Sequence, residues 1–443
     1  MLHRRRFLAG TAAAFSGLVA SNCSFGSTRS VAAPPLGGPV AGYGDLVPDS
    51  AGLLDLPRGF SYRLLSRLGD PMSDGLTVPD KADGMGCFDV GGGELVLVRN
   101  HELVPADEGG GVLASGYGRR NGEIVPGGTT NIVLDARTLA VKREFRSLAG
   151  TIRNCSGGIT PWGSWLTCEE APTGPGQRYG EGLEQQHGWV FEVPARATGL
   201  VDAVPLKAMG RFNHEAACVD PVTGIVYETE DRDDGVLYRF LPDRPGRLAA
   251  GGRLQAMVID DMPDTRNWKD ATMPVGRRFP VRWIDMEDVE APGDDLRQRA
   301  AARGASLIAR GEGIHMGLGD VFICSTSGGA RECGQIFRLY PGHDGAADEI
   351  ELFFESSSPD QFDYGDNLTV GPNGHLIVCE DQGHAIVDNY LRGITPSGEP
   401  YPFGRLRIQT ELAGGCFTPD GRWFFVNAYA PTMTFAITGP WVA

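Results

Sequence analysis

Six times along the 443 residues the same unit returns: a short strand, a turn closed by glycine, an apolar strand, then polar residues. The anchoring glycines are Gly93, Gly163, Gly224, Gly319, Gly374 and Gly421. Four turns are close variants, Thr160-Pro161-Trp162-Gly163, Asp220-Pro221-Val222-Thr223-Gly224, Gly371-Pro372-Asn373-Gly374 and Thr418-Pro419-Asp420-Gly421. Proline presets φ and glycine accepts a positive φ, so each reads as a tight hairpin. Apolar strands follow at Leu95–Val98, Trp165–Cys168, Ile225–Thr229, Val321–Cys324, Leu376–Cys379 and Trp423–Val426. Further strand pairs fall between them. Repeated hairpins with outer strands imply an all-β chain, a six-bladed β-propeller with short helical insertions. A two-sheet sandwich is the alternative, but irregular anchor spacing suits blades with insertions better. Pro292–Gly304 is the best candidate for a helix. The 63 glycines and 30 prolines fit a fold rich in turns.

The first 33 residues read as an export signal rather than as part of the propeller, which is expected over 34–443. Arg4-Arg5-Arg6-Phe7-Leu8 is a twin-arginine pattern, residues 8–20 are moderately apolar, and Val31-Ala32-Ala33 forms a small-residue cleavage site. That implies passage through the twin-arginine translocon to a periplasmic or extracellular location. Chains on this route fold before export, often around a cofactor. Lipidation at Cys23 is a second reading, although Asn22 precedes it where a small residue is usual. No other stretch is apolar enough to span a bilayer, so stable membrane insertion is not expected.

Charge narrows the partners. The chain carries −16, and losing residues 1–33 removes four arginines and no acid, giving −20. Such a surface repels polyanions, which excludes nucleic acid as a partner. Eight cysteines remain after cleavage, with no CxxC pair. Cys168, Cys324 and Cys379 each follow their anchor by five residues, a place for a small residue between closely packed blades.

Polar residues collect at two positions relative to the anchors. Six and seven residues after each glycine stand Arg99/Asn100, Glu169/Glu170, Glu230/Asp231, Ser325/Thr326, Glu380/Asp381 and Asn427/Ala428. Seven to nine residues before stand Gly84, Cys155, Glu215, Glu312, Asn367 and Gly414. The two ends of a hairpin lie side by side, so both sets should converge on one mouth of the channel. Acids are poor strand residues, and crowded acids repel. Bound cations would remove the conflict, with carboxylates suiting Ca2+ or Mg2+ and a thiolate suiting a softer ion such as iron. Solvated strand ends are the plainer alternative. Arg310 stands two residues before Glu312, and a guanidinium can grip phosphate or carboxylate through two bonds. His101 beside Glu102 and His214 beside Glu215 are weaker candidates.

The stretch Asn154–Glu170, NCSGGITPWGSWLTCEE, resembles the PhoX family of calcium-dependent alkaline phosphatases. RFNHEAACVDP at 211–221, RGEGIH at 310–315, DNLTVGPNGHLIVCED at 366–381 and GGCFTPDGRWFFVN at 414–427 extend the likeness, which runs from about residue 45 to the C-terminus. The resemblance implies a monomeric six-bladed propeller with a centre of Ca2+ and Fe3+ that hydrolyses small phosphomonoesters. Carried over, Cys155 corresponds to an iron-binding thiolate. Glu170 or Glu169, Glu215 and Glu312 correspond to carboxylate ligands, with Glu380 and Asp381 in the same family segment. Arg310 corresponds to a phosphate-binding arginine. Two other functions stay open: a Ca2+-dependent lactonase or arylesterase, and a binding propeller with a structural metal and no turnover.

Overall fold

The computed structural model describes residues 41–317, 319–382 and 388–441. The expected signal at 1–33, Cys23 included, lies outside them. Among the described residues β-strands dominate, and no helix is long and apolar enough to cross a membrane. The expected helix forms over Leu296–Ala301 and buries Leu296 and Ala300.

All six anchored hairpins form. They pair Ala82–Gly91 with Glu94–His101, Asn154–Ile159 with Ser164–Glu169, and His214–Val219 with Val226–Glu230. The other three pair Gly311–Met316 with Val321–Ser325, Gly365–Val370 with Leu376–Glu380, and Leu412–Phe417 with Trp423–Ala428. Every anchor glycine has positive φ, from +71° at Gly421 to +105° at Gly319, as the turns require.

Side chains alternate across each strand, so each sheet offers an apolar face to the sheet on either side. Phe88, Val96 and Val133 meet Trp165, Trp189 and Phe191 between the first and second hairpins. Leu166 and Val190 meet Val226 and Tyr238 at the next junction, and Tyr227 and Met257 meet Ile323 and Phe337 beyond it. Phe322 and Ile336 pack on Leu368 and Val378, and Ile377 and Leu391 on Phe424 and Phe435. Cys416 and Phe425 then pack on Cys87 and Leu97, which returns the circuit to the first hairpin. The circuit is propeller-like. Ser61–Arg67 adds the outer strand of the last sheet by pairing with Met433–Thr438, so one sheet joins both ends of the described chain.

Hydrogen bonding departs from six separate four-stranded blades. Only the sheets of the first and last hairpins have four strands; the second has three. The third and fourth hairpins share one nine-stranded sheet because Arg278–Asp285 pairs with Gly252–Val258 through its second half and with Asp348–Glu355 through its first. Trp283 Nε1 and Arg239 Nη1 donate to Asp348 Oδ2 at 2.7 and 2.8 Å and pin that junction. The eight described cysteines are free thiols and all are buried. Cys168, Cys324 and Cys379 lie in the junction cores, as their register suggests.

The innermost strands enclose an apolar channel of about 320 Å3. It begins at Ser156, Gly313 and Asn367 and runs toward the turns at Pro161 and Pro221. Around it the strands approach so closely that a Cβ on Gly158 would sit 2.0 Å from the Ala217 carbonyl oxygen. Backbone must move to admit it. Gly158→Ala is therefore expected to cost about 1–3 kcal/mol in denaturant unfolding. An unchanged midpoint would mean the strands do not pack at this distance.

Candidate metal centre at the channel mouth

Five inner hairpins carry a β-bulge immediately after their first residue pair, and the last carries it after the second, Leu412↔Ala428 being followed by Ala413↔Asn427. Ala82↔His101 is followed by Met85↔Arg99, Asn154↔Glu169 by Gly157↔Thr167, and His214↔Glu230 by Ala217↔Glu228. Gly311↔Ser325, Gly365↔Glu380 and Ala413↔Asn427 show the same skip. The extra residue re-aims a side chain at the sheet end. The first bulge residues are Asp83, Cys155, Glu215, Glu312, Asp366 and Gly414. The second are small or short: Gly84, Ser156, Ala216, Gly313, Asn367 and Gly415. A Cβ on Gly84 would stand 2.5 Å from Ser156 Cα, and one on Gly313 2.7 Å from the Asp366 carbonyl.

Neighbouring hairpins clamp these bulges. Asn100 Nδ2 donates to the Cys155 and Ser156 carbonyls at 3.0 and 2.8 Å. Thr229 Oγ1 donates to the Glu312 carbonyl and Thr326 Oγ1 to the Gly365 carbonyl, both at 2.6 Å. Asn427 Nδ2 donates to the Asp83 carbonyl at 2.7 Å. The residue after each opposing strand-end partner gives a second set, Glu102, Glu170, Asp231, Thr326 and Asp381 in the first five hairpins.

Two triads come together among the described residues. Ligand atoms of Glu102, Cys155 and Glu170 lie within 4.8 Å of one another, as do those of Glu215, Glu312 and Asp366. The second triad is left short of partners. Glu215 is wholly buried, and neither carboxylate oxygen has a hydrogen bond; Asp83 Oδ1 is also buried without one. Burial pushes the Glu215, Glu312 and Asp83 carboxyls well up, and neighbouring carboxylates add to it. Burial and the nearby Asp83 and Glu215 raise the Cys155 thiol in the same way. An orphaned buried carboxylate beside other acids and a thiol fits a cation, since hard oxygens and one soft sulfur would all gain a partner.

Two arginines serve the mouth from matching positions. Arg153 and Arg310 each precede the first residue of an inner strand, with φ of +50° and +47°. Arg310 grips Asp231 through Nε and Nη2 at 2.8 and 3.2 Å and donates from Nη2 to Glu312 Oε1 at 2.6 Å. Burial pushes Asp231 up, but the Arg310 guanidinium outweighs it and holds the carboxyl below its usual range. Left-handed backbone at non-glycine residues costs energy, and it clusters where side-chain aim matters.

The expected site residues divide. Cys155, Glu170, Glu215, Glu312 and Arg310 meet at the mouth. Asp381 is near it, raising the half-buried carboxyls of Glu411 and Asp366. Glu169 and Glu380 are not brought there. Glu169 takes His187 Nδ1 at 2.6 Å and the N–H groups of Ile152, Gly188 and Trp189. Glu380 takes Arg392 Nε at 2.6 Å and the N–H groups of Asp363 and Tyr390. Strand alternation turns these two away from the channel, so they serve as buried hydrogen-bond hubs. His101 and His214 are also buried in hydrogen bonds, to Asp80 and Thr130 and to Gly210. Asp83 and Glu102 were missed because the first hairpin is longer than the others, and Asp366 because its neighbour Asn367 fits the same distance window from Gly374. In the first hairpin the strand ends two residues later than counted, at His101.

The crowding has a pH signature. With no cation bound, burial raises Glu170 to about 8 and Asp366 to about 7, despite Arg153 and Arg310 nearby. The fold then binds more protons than the unfolded chain between the ordinary carboxylate range and about pH 8. Stability of chelator-treated protein should therefore fall as pH rises through that window. Saturating Ca2+ should remove the Asp366 share of this dependence, and at 100 times its Kd it adds about 2.7 kcal/mol. Thermal melts across pH with and without Ca2+ check this; superimposable curves count against a cation at the mouth.

The family model for alkaline phosphatase PhoX matches residues 41–138 and 112–432. Among solved structures, Pseudomonas fluorescens PhoX in complex with vanadate, a transition-state analogue, is 19% identical with a TM-score of 0.67, covering 88% of this chain and 96% of that one. A gluconolactonase of Xanthomonas campestris is 13% identical with a TM-score of 0.40, covering 90% and 99%. A putative 6-phosphogluconolactonase from Bacteroides uniformis is 10% identical with a TM-score of 0.39, covering 83% and 89%. No curated protein matches the chain. The family match runs through every inner hairpin that builds the mouth, and the fold is shared with a PhoX enzyme along most of both chains. The chain therefore belongs to the PhoX family of alkaline phosphatases and is a phosphomonoesterase.

Proposed function

We propose that the protein is an exported phosphomonoesterase that works on small phosphate esters at the acidic mouth, with Ca2+ and Fe3+ as its cations. The observation that carries this reading is Glu215, buried with two unpartnered oxygens beside Glu312 and Asp366. Cys155, Glu215, Glu312 and Asp366 would hold the cations, with Asp83 at hand. The thiol is the reason to expect iron and the carboxylates the reason to expect calcium. Bound there, the cations would supply the positive charge that polarises the phosphoryl oxygens and activates an oxygen nucleophile.

The chain's own residues would do the positioning. A phosphomonoester dianion meets a chain of net charge −16, so local cationic groups must draw it in. Asp231 fixes the Arg310 guanidinium through two bonds, which leaves Nη1 outside them and the plane of the fork set in advance. Arg310 would orient equatorial phosphoryl oxygens and offset the charge that builds on them. The arginine-rich leader at 1–33 supports export in folded form. Calcium without iron, with lactone rather than phosphate-ester turnover, would favour the lactonase reading instead.

Cys155→Ser is expected to abolish iron binding and activity, whereas Cys168→Ser, in the core between hairpins, leaves both. Elemental analysis beside an aryl phosphate assay decides it, and a Cys155→Ser protein with full iron content overturns the assignment. Arg310→Ala should lose roughly 30- to 1,000-fold in turnover of an aryl phosphate, about 2–4 kcal/mol of transition-state stabilisation. Arg310→Lys should recover only part, keeping charge without the planar fork. Unchanged turnover in Arg310→Ala would remove Arg310 from the reaction.

A further inference from the structure

The two triads at the mouth are not equivalent. In the Glu102–Cys155–Glu170 triad every carboxylate oxygen already has a donor. Arg153 Nε donates to Glu102 Oε1 at 2.6 Å, and its Nη2 bonds Glu170 Oε2. Tyr429 donates to Glu102 Oε2, and Asn213 Nδ2 to Glu170 Oε1 at 2.9 Å. Arg153 Nη1 also donates to the Glu170 backbone carbonyl at 3.0 Å, so the guanidinium is fixed at three points. In the Glu215–Glu312–Asp366 triad the two Glu215 oxygens have none. Arg310 reaches only the rim of that triad, at Glu312, because Asp231 holds it back.

We infer that Arg153 is a built-in cation, occupying the Glu102–Glu170 pair in place of a metal ion, so that this half of the mouth takes no divalent cation while the Glu215 half does. The inference rests on the metal-centre reading above. Its reason is charge and coordination together. Two buried carboxylates facing one another need a positive charge between them, and the guanidinium fork satisfies both at once. A cation entering there would have to displace Arg153, Tyr429 and Asn213 and leave a half-buried guanidinium without its carboxylate partners. The pair is therefore a latent cation site, closed by a side chain of the same protein.

Equilibrium dialysis against CaCl2 with elemental analysis tests it. Arg153→Gln should bind one more Ca2+ per chain than the wild type, because Glu102 and Glu170 lose their shared donor. Arg153→Lys keeps the charge and should bind the wild-type number. Glu102→Gln should leave the wild-type count unchanged but cancel the gain when combined with Arg153→Gln. Equal calcium in Arg153→Gln and wild type, or one Ca2+ fewer in Glu102→Gln alone, overturns the inference while the metal centre stands. Should Arg153→Gln not fold, Glu102→Gln and Arg153→Lys still decide it. A wild-type protein that binds no Ca2+ sinks the calcium reading and this inference together.

Discussion

Charge buried without a partner governs the channel mouth, and a repeated backbone defect puts it there. A regular hairpin would turn successive side chains to alternate faces of its sheet. The bulge near the mouth end of each inner hairpin breaks that alternation. Asp83, Cys155, Glu215, Glu312 and Asp366 then gather at one place, although they come from five hairpins spread over most of the chain. The small residue that follows each of them is the geometric condition for this gathering. So are the hydrogen bonds by which Asn100, Thr229, Thr326 and Asn427 hold the next hairpin's bulge. The apolar junctions between sheets hold the ring rigid while its centre carries groups that repel one another.

The protein meets that repulsion in two ways. Around Glu102 and Glu170 it uses its own side chains, and the polar groups there are satisfied. Around Glu215 it leaves carboxylate oxygens open, so the electrostatic cost stands until something positive arrives. Such an arrangement is unfavourable as structure alone. Stability is spread over the junction cores, which allows the mouth to carry strain at Arg153 and Arg310 without endangering the fold.

Much of this was legible in the sequence, and the misses share one cause. The glycine-closed turns announce the hairpins because only such residues accept the required φ. Cys155, Glu215 and Glu312 could be found since their hairpins differ little in length. Asp83 and Glu102 escaped because the first hairpin is longer than the rest, and Asp366 because the bulge, which leaves no residue signature of its own, decides between it and Asn367. Glu169 and Glu380 looked equivalent to their neighbours for the opposite reason. An acid at a strand end gives the same signal whether it faces the channel or His187 and Arg392. The fusion of two sheets through Arg278–Asp285 was also invisible, because a strand shared between neighbours looks in sequence like an ordinary outer strand.

The last sheet draws its outer strand, Ser61–Arg67, from before the first hairpin, and pairs it with Met433–Thr438 from after the sixth. A ring closed in this way cannot be completed before Met433–Thr438 has been made. Until then Ser61–Arg67 has no edge to join, and the cores on both sides of the seam stay open. Closure thus waits for strands from before the first hairpin and after the sixth. Residues of the mouth come from the first hairpin as well as from the fifth, so it too is assembled only near that moment.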